Sequence, residues 1–165
     1  MAHPDIAFLR QVPIFKDVDE RVLQSLWPSL HERRVRKGEV LFRAGEPGDE
    51  MFLIYSGSVV VSKPVTGRVE QVLNRLAPGE VFGEMSVFGD ERRRSATIQA
   101  EADTMLLGLH RDSLNAFIDS SPRDAARFFL EMVRFTFKRL RDTSDLVAEV
   151  TRWGLEATGL DVEHR

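Results

Sequence analysis

The residues with the clearest chemical use are Phe82-Gly83-Glu84-Met85-Ser86, followed at Arg94-Ser95-Ala96 by a second short cluster. A glycine and a carboxylate sit side by side, and an arginine follows ten positions after the carboxylate. Gly83 has no Cβ, so a backbone N–H there can approach a ligand closely. Glu84 can accept hydrogen bonds from sugar hydroxyls. Arg94 can fork onto phosphate oxygens. If Glu84 to Val87 begin a short helix, its free N–H groups favour an anion. Together these groups suit a small anionic sugar phosphate. Glu84 alone would read as a carboxylate at a helix start with only a capping role. Arg94 at this distance turns the reading towards a ligand.

The elements that must hold these groups follow from the texture of the chain. From 31 to 110, short β-rich runs alternate with turn residues. The runs are Val40-Leu41-Phe42, Met51 to Tyr55, Val59-Val60-Val61, Val69 to Leu73, Ala96-Thr97-Ile98 and Met105-Leu106-Leu107. Gly45, Gly57 and Gly79 stand where tight corners are needed. Many short strands with Gly/Pro punctuation predict a sandwich or barrel. The expected fold is α+β: an eight-stranded antiparallel β-roll, jelly-roll-like, interrupted by a short helix at about 84–89 that begins at Glu84.

Helices flank this roll. Residues 4–30 predict two short ones, interrupted at Pro13. The second is capped by Asp17 or Asp19 and carries Val22, Leu23, Leu26 and Leu30 at helical spacing. After His110, Asp112 or Ser113 can cap a helix with Leu114, Phe117 and Ile118, and Pro122 suits a first helical position. From Arg123 to about Thr158 a long helix is expected, fraying towards Gly159. Phe129, Val133, Thr136, Leu140, Thr143, Val147 and Val150 alternate in steps of four and three, a heptad seam suited to a second copy of the chain. The whole reads as one domain over 1–165, divided into N-terminal helices (1–30), β-roll (31–110) and C-terminal helices (111–165).

Composition narrows the function. The 165 residues include no cysteine, which excludes disulfides, zinc–thiolate sites and cysteine nucleophiles. The four histidines, His3, His31, His110 and His164, have no ligand spacing, so no metal site is expected. No serine or threonine has a plausible triad around it, and the chain is not expected to be an enzyme. There is no secretory leader and no apolar run of membrane-spanning length, so a cytoplasmic protein without membrane contact is expected. A net charge of −3 gives no global reason for nucleic-acid binding. Residues 123–141 do hold six basic and two acidic side chains. These read as the wet side of a helix, with weak contact to an acidic partner as the sharper alternative.

The element order, with Phe82-Gly83-Glu84-Met85-Ser86 and Arg94-Ser95-Ala96 inside it, resembles the cyclic-nucleotide-binding domain family. The ten-position Glu–Arg interval is closer to the bacterial catabolite-activator branch than to kinase regulatory subunits, which usually place proline where Arg93 stands. The resemblance implies that Phe82 to Ser86 and Arg94 to Ala96 form a phosphate-binding cassette that lines the ligand. Within them, Gly83 and the following N–H groups would meet phosphate and ribose, and Glu84 the ribose 2′-hydroxyl. Arg94 would pair with the exocyclic phosphate oxygens. Ser95 would hydrogen-bond the phosphate or the base edge of a guanine. Lys138 to Asp145 resembles the activator segment whose adjacent threonine and serine meet adenine, which makes Thr143 and Ser144 candidates for base contacts.

The implied function is a cyclic-nucleotide sensor, cAMP preferred over cGMP. It would transmit occupancy through its C-terminal helix, as a homodimer, to an effector protein not named by the sequence. The activators follow that helix with a winged helix-turn-helix, whereas only seven residues, Gly159 to Arg165, follow here, so direct sequence-specific DNA binding is not expected. The alternative is a domain of the same fold that has lost ligand response and serves as a dimerisation or docking module.

Overall fold

The computed structural model describes residues 6–66 and 69–158. His3, Gly67, Gly159 and His164 lie outside them. The chain runs α1 (Ile6–Gln11), a 3-10 turn (Pro13–Phe15), α2 (Glu20–Leu26), a second 3-10 turn (Trp27–Ser29), then β1 (Leu30–Val35), β2 (Val40–Phe42), β3 (Glu50–Ser56), β4 (Val59–Thr66), β5 (Val69–Leu76) and β6 (Val81–Phe82). The short helix α3 (Glu84–Phe88) follows, then β7 (Thr97–Ala100), β8 (Thr104–His110), α4 (Arg111–Ser120) and α5 (Pro122–Thr158). The strands form two four-stranded antiparallel sheets, ordered β1-β8-β3-β6 and β2-β7-β4-β5. This is the expected β-roll with its inserted helix.

Two of the eight strands carry no strand-like run. In β1, Leu-His-Glu-Arg-Arg-Val, four polar residues lie between two apolar ones, which suits an edge strand that discourages further pairing. β6 has only two residues, both buried. In contrast, β3 and β8 read as near-continuous apolar runs because both of their faces are covered. Their alternating side chains feed two cores. Phe52, Ile54 and Leu106 point into the roll with Val35, Phe42, Phe82 and Ile98. Met51, Leu53, Leu107 and Leu109 point outward, against the helices. Gly45, Gly57 and Gly79 all adopt left-handed backbone, with φ of 87°, 86° and 87°. These are corners that a side chain would strain.

The helical layer is anchored by aromatic rings. Phe128 of α5 is fully buried and packs against Phe15 at 5.3 Å, Phe117 at 5.9 Å and Phe129 at 5.5 Å between ring centroids. Asp19 caps α2, accepting from Arg21 N at 2.9 Å. The cap of α4 differs from expectation. His110, not Asp112 or Ser113, occupies the position, and its Nδ1 accepts from Asp112 N at 3.1 Å. An imidazole at the end of β8 fills the role of a shorter side chain.

The apolar line along α5 also differs in detail. Val133, Leu140 and Val147 are exposed as the heptad requires. Phe129 is not free: it packs edge-on against Phe88 at 5.4 Å. The other seam positions, Thr136, Thr143 and Val150, are exposed as well, and Leu130 and Phe137 add two exposed apolar side chains beside the seam. Among the described residues, no helix is long and apolar enough to cross a membrane.

One charge is buried in this layer. Glu131, 6% exposed, is paired with Lys16 at 3.1 Å and with Arg134. Burial pushes its carboxyl up, but hydrogen bonds from Lys16 and Arg134 outweigh this and leave its pKa below the ordinary value. A depressed folded-state pKa contributes stability that is present above the unfolded value and lost as pH falls through the folded one. Glu131→Gln should therefore lower stability near pH 7 and flatten the acid limb of the curve. Urea titrations of both proteins between about pH 2 and 7 would check this. An acid limb of the same slope in both would assign acid lability to other groups.

Candidate functional site

Gly83 ends β6 and stands at the N-cap of α3 with φ 79° and ψ 3°. A Cβ at Gly83 would lie 2.7 Å from Arg94 Nη1 and 3.0 Å from the Glu50 carbonyl oxygen. At Gly48 a Cβ would fall 2.3 Å from Arg94 Nε. Two glycines thus make room for one guanidinium. Gly83→Ala meets both the left-handed backbone and this contact, so a loss of about 1–3 kcal/mol of stability is expected, together with displaced Arg94. Thermal melts and nucleotide titration of this variant would read both effects, and an unchanged melting temperature would contradict the crowding.

Arg94 is 7% exposed. Its Nη1 donates to Glu50 O at 2.6 Å and to Ser86 Oγ at 2.8 Å. The guanidinium carbon stands 4.0 Å from the Phe42 ring centroid. The backbone is clamped as well, since Arg94 N donates to Glu46 O at 2.8 Å and Gly45 N donates to Arg94 O at 2.8 Å. Pro47 and Arg93 form a β-bridge. The arginine in the place where kinase subunits usually have proline therefore sits in a pinned segment. Burial pulls the Arg94 pKa down, and the carboxylates of Glu50 and Asp49 oppose it. Arg94 Nε is buried and makes no hydrogen bond. A buried guanidinium with an unused donor is a cation with capacity for an anion.

Ser86 is buried, and its hydroxyl donates to Gly83 O at 2.9 Å while accepting from Arg94. It ties α3 to the arginine. Arg111, at the start of α4, donates from Nη2 to Ser86 O and holds the same helix from the other side. Phe82 is buried in the roll and stacks on Phe52 at 5.5 Å. Met85 faces solvent, Ser95 is half-buried and Ala96 is buried.

Glu84 is engaged by a residue that the sequence reading did not select. Arg139 of α5 lies 3.3 Å from its Oε1 and 3.5 Å from Oε2, and donates its Nη2 to Val81 O. Its guanidinium carbon stands 4.3 Å from the Phe135 ring centroid. Burial lowers the Arg139 pKa, opposed by Glu84 and Glu80. The long helix is thus linked to the cassette through one ion pair. Lys138 to Asp145 contained the signal, but Arg139 is 55 positions from Glu84 and only packing reveals the pair. Thr143 lies one turn beyond Arg139. Thr143 and Ser144 are exposed, and their hydroxyls donate to the carbonyls of Arg139 and Leu140, each at 2.9 Å. Gly83, Glu84, Ser86 and Arg94 are therefore gathered with Arg139, whereas Thr143 and Ser144 make no side-chain contact with the cassette. A cavity of about 530 Å³ is lined by Arg139 itself with Ile14, Val81, Phe135 and Lys138 among others, and its lining does not include Gly83, Glu84, Ser86 or Arg94. Among the described residues no His/Asp/Glu group is arranged to hold a metal ion.

Residues 32–121 match the family model for the cyclic nucleotide-binding domain. The chain is 40% identical over 117 residues to a cyclic nucleotide-gated potassium channel of Mesorhizobium japonicum, covering 71% of this chain and 31% of the channel. It is 27% identical over 142 residues to a CRP-like cAMP-activated global transcriptional regulator of Mycobacterium tuberculosis, covering 86% of this chain and 61% of the regulator. The chain thus spans under two thirds of either relative. The crystal structure of the Thermus thermophilus catabolite activator protein superposes with a TM-score of 0.71 at 31% identity, over 85% of this chain and 63% of that one. With the matched region running from within β1 through β8 and including Gly83, Glu84 and Arg94, the chain belongs to the cyclic nucleotide-binding domain family.

Proposed function

We propose that this domain is a sensor that binds cAMP in preference to cGMP and passes occupancy to α5. The observation that carries the reading is Arg94, a buried guanidinium with an unpartnered Nε, beside left-handed Gly83 and Glu84. In this reading the exocyclic phosphate takes Arg94 and Ser95, and the ribose 2′-hydroxyl takes Glu84. Phe82, Met85 and Ala96 shape the edges of the site. Arg139 positions Glu84 and couples it to α5, so a ligand that competes for Glu84 biases the helix. A ligand shifts this equilibrium only by its different affinity for the two arrangements. Thr143 and Ser144, one turn further along, favour adenine, and the mycobacterial relative is by name cAMP-activated. The exposed heptad seam on α5 suits a homodimer, with Thr136 and Thr143 as its polar positions. Output passes to an effector protein.

Calorimetric titration of nucleotide-free protein with cAMP and cGMP tests the proposal. Micromolar or tighter cAMP binding is expected, with cGMP weaker. Glu84→Gln should lose about tenfold, the worth of one charge-assisted hydrogen bond. Absence of heat and of thermal shift with both nucleotides, on folded protein, would overturn it. That result would favour the docking-module reading, which draws on Nη1 of Arg94 already being satisfied by Glu50 and Ser86.

A further inference from the structure

The cavity of about 530 Å³ beside α5 takes no part in the nucleotide reading. Its volume lies in the range of small-molecule sites, about 300–1,000 Å³. One wall is α5 itself, through Glu131, Arg134, Phe135, Lys138 and Asp142. At about 100° per residue these positions centre roughly opposite the seam of Val133, Leu140 and Val147, so a second copy of the chain on the seam leaves the cavity open. Pro13, Ile14 and Val81 supply apolar surface, and Asn74 and Glu80 polar groups. Most charges here are already engaged. Glu131 is buried against Lys16 and Arg134, and Arg139 holds Glu84. Two opposite charges are not. Lys138 and Asp142 are exposed, one helical turn apart, and make no ion pair or side-chain hydrogen bond among the described residues. A cation that precedes its anion at i, i+4 is the weaker order on a helix, in keeping with their failure to pair with each other. Asn74 accepts from Arg75 N through Oδ1 at 2.8 Å, which leaves its Nδ2 without a partner among the described residues.

We infer that this cavity binds a free α-amino acid with an apolar side chain. Its carboxylate pairs with Lys138 and the Asn74 amide, and its ammonium with Asp142. Residues one turn apart on a helix stand about 5–6 Å from each other, close enough for one zwitterion to meet both. The apolar side chain lies on Ile14, Val81 and Phe135, of which the first two are buried. Charge balance selects this class of ligand. Arg134, Lys138 and Arg139 are matched by Glu80, Glu131 and Asp142, so the cavity favours a zwitterion over an anion or a cation of the same size. Arg139 belongs both to this cavity and to the pair with Glu84, so the amino acid sits against the link between α5 and the cassette. The inference goes beyond the nucleotide reading and does not rest on it, because binding is measured on nucleotide-free protein.

The test is calorimetric titration of the nucleotide-free full chain with L-leucine and L-phenylalanine. Glycine, 3-phenylpropanoate and phenethylamine are the controls, lacking in turn the apolar side chain, the ammonium and the carboxylate. Saturable binding of leucine or phenylalanine is expected, about tenfold tighter than any control, since each control gives up the apolar contact or one charge-assisted contact. Lys138→Gln and Asp142→Asn should each weaken binding about three- to tenfold. Their melting temperatures should match the parent, because both side chains are exposed. No saturation with leucine or phenylalanine, a control that binds as tightly as they do, or two variants that bind like the parent would each overturn the inference. Tighter binding of 3-phenylpropanoate than of phenylalanine would overturn it as well and reassign the cavity to an organic anion.

Discussion

Arg94→Ala is expected to weaken cyclic-nucleotide binding by a factor on the order of 10²–10⁴, because it leaves the phosphate charge buried without a partner, at about 3–5 kcal/mol. The guanidinium is held from three directions before any ligand arrives: by Glu50 O, by Ser86 Oγ and by the Phe42 face. That preorganisation reduces the cost of ordering a side chain at the moment of binding. It also means the variant loses structure, since Glu50 O and Ser86 lose their donor. Two controls separate the effects. Arg94→Lys keeps the charge but not the planar fork and should recover only part of the affinity. Thermal melts report the structural share directly. Calorimetry on the three proteins decides the matter. An Arg94→Ala protein within threefold of the parent would show that the phosphate is not held there.

The second large effect is expected on stability. Phe128→Ala should cost about 3–5 kcal/mol, the usual range for removing a fully buried phenylalanine. For a chain of this length that corresponds to a fall in melting temperature of roughly 6–20 °C. The size follows from position. Phe128 joins the Pro13–Phe15 turn through Phe15, α4 through Phe117, and Phe129, which touches Phe88 of the cassette helix. A cavity there loosens the seating of α5, and with it the Arg139–Glu84 pair. Urea unfolding would give the free energy, and nucleotide titration of the same variant would show whether affinity falls too. A shift below about 3 °C would mean that the helical layer is anchored elsewhere.

Much of this protein was legible in its order of residues. The left-handed corners at Gly45, Gly57 and Gly79 are local, because φ near 87° excludes most side chains whatever surrounds them. The inserted helix at Glu84–Phe88 and the start of α5 at Pro122 follow from nearby residues alone. The composition of the cassette was readable for the same reason: Gly83, Glu84 and Ser86 are neighbours in sequence, and Arg94 is only a short loop away.

Where the reading fell short, the deciding contact was distant. β1 is a strand because β8 pairs with all six of its residues, not because Leu-His-Glu-Arg-Arg-Val has strand character. Phe129 and Leu130 are both apolar, and only the approach of Phe88 decides which one is covered and which is left on the exposed line of α5. Arg139 looked like one more cation in a basic stretch until α5 was laid across the roll beside Glu84. Sequence determined which groups this chain can offer and where its backbone must turn, since backbone sterics and residue periodicity act within a few positions. Tertiary structure decided which of those groups meet, because burial and charge pairing depend on surfaces brought together from remote parts of the chain.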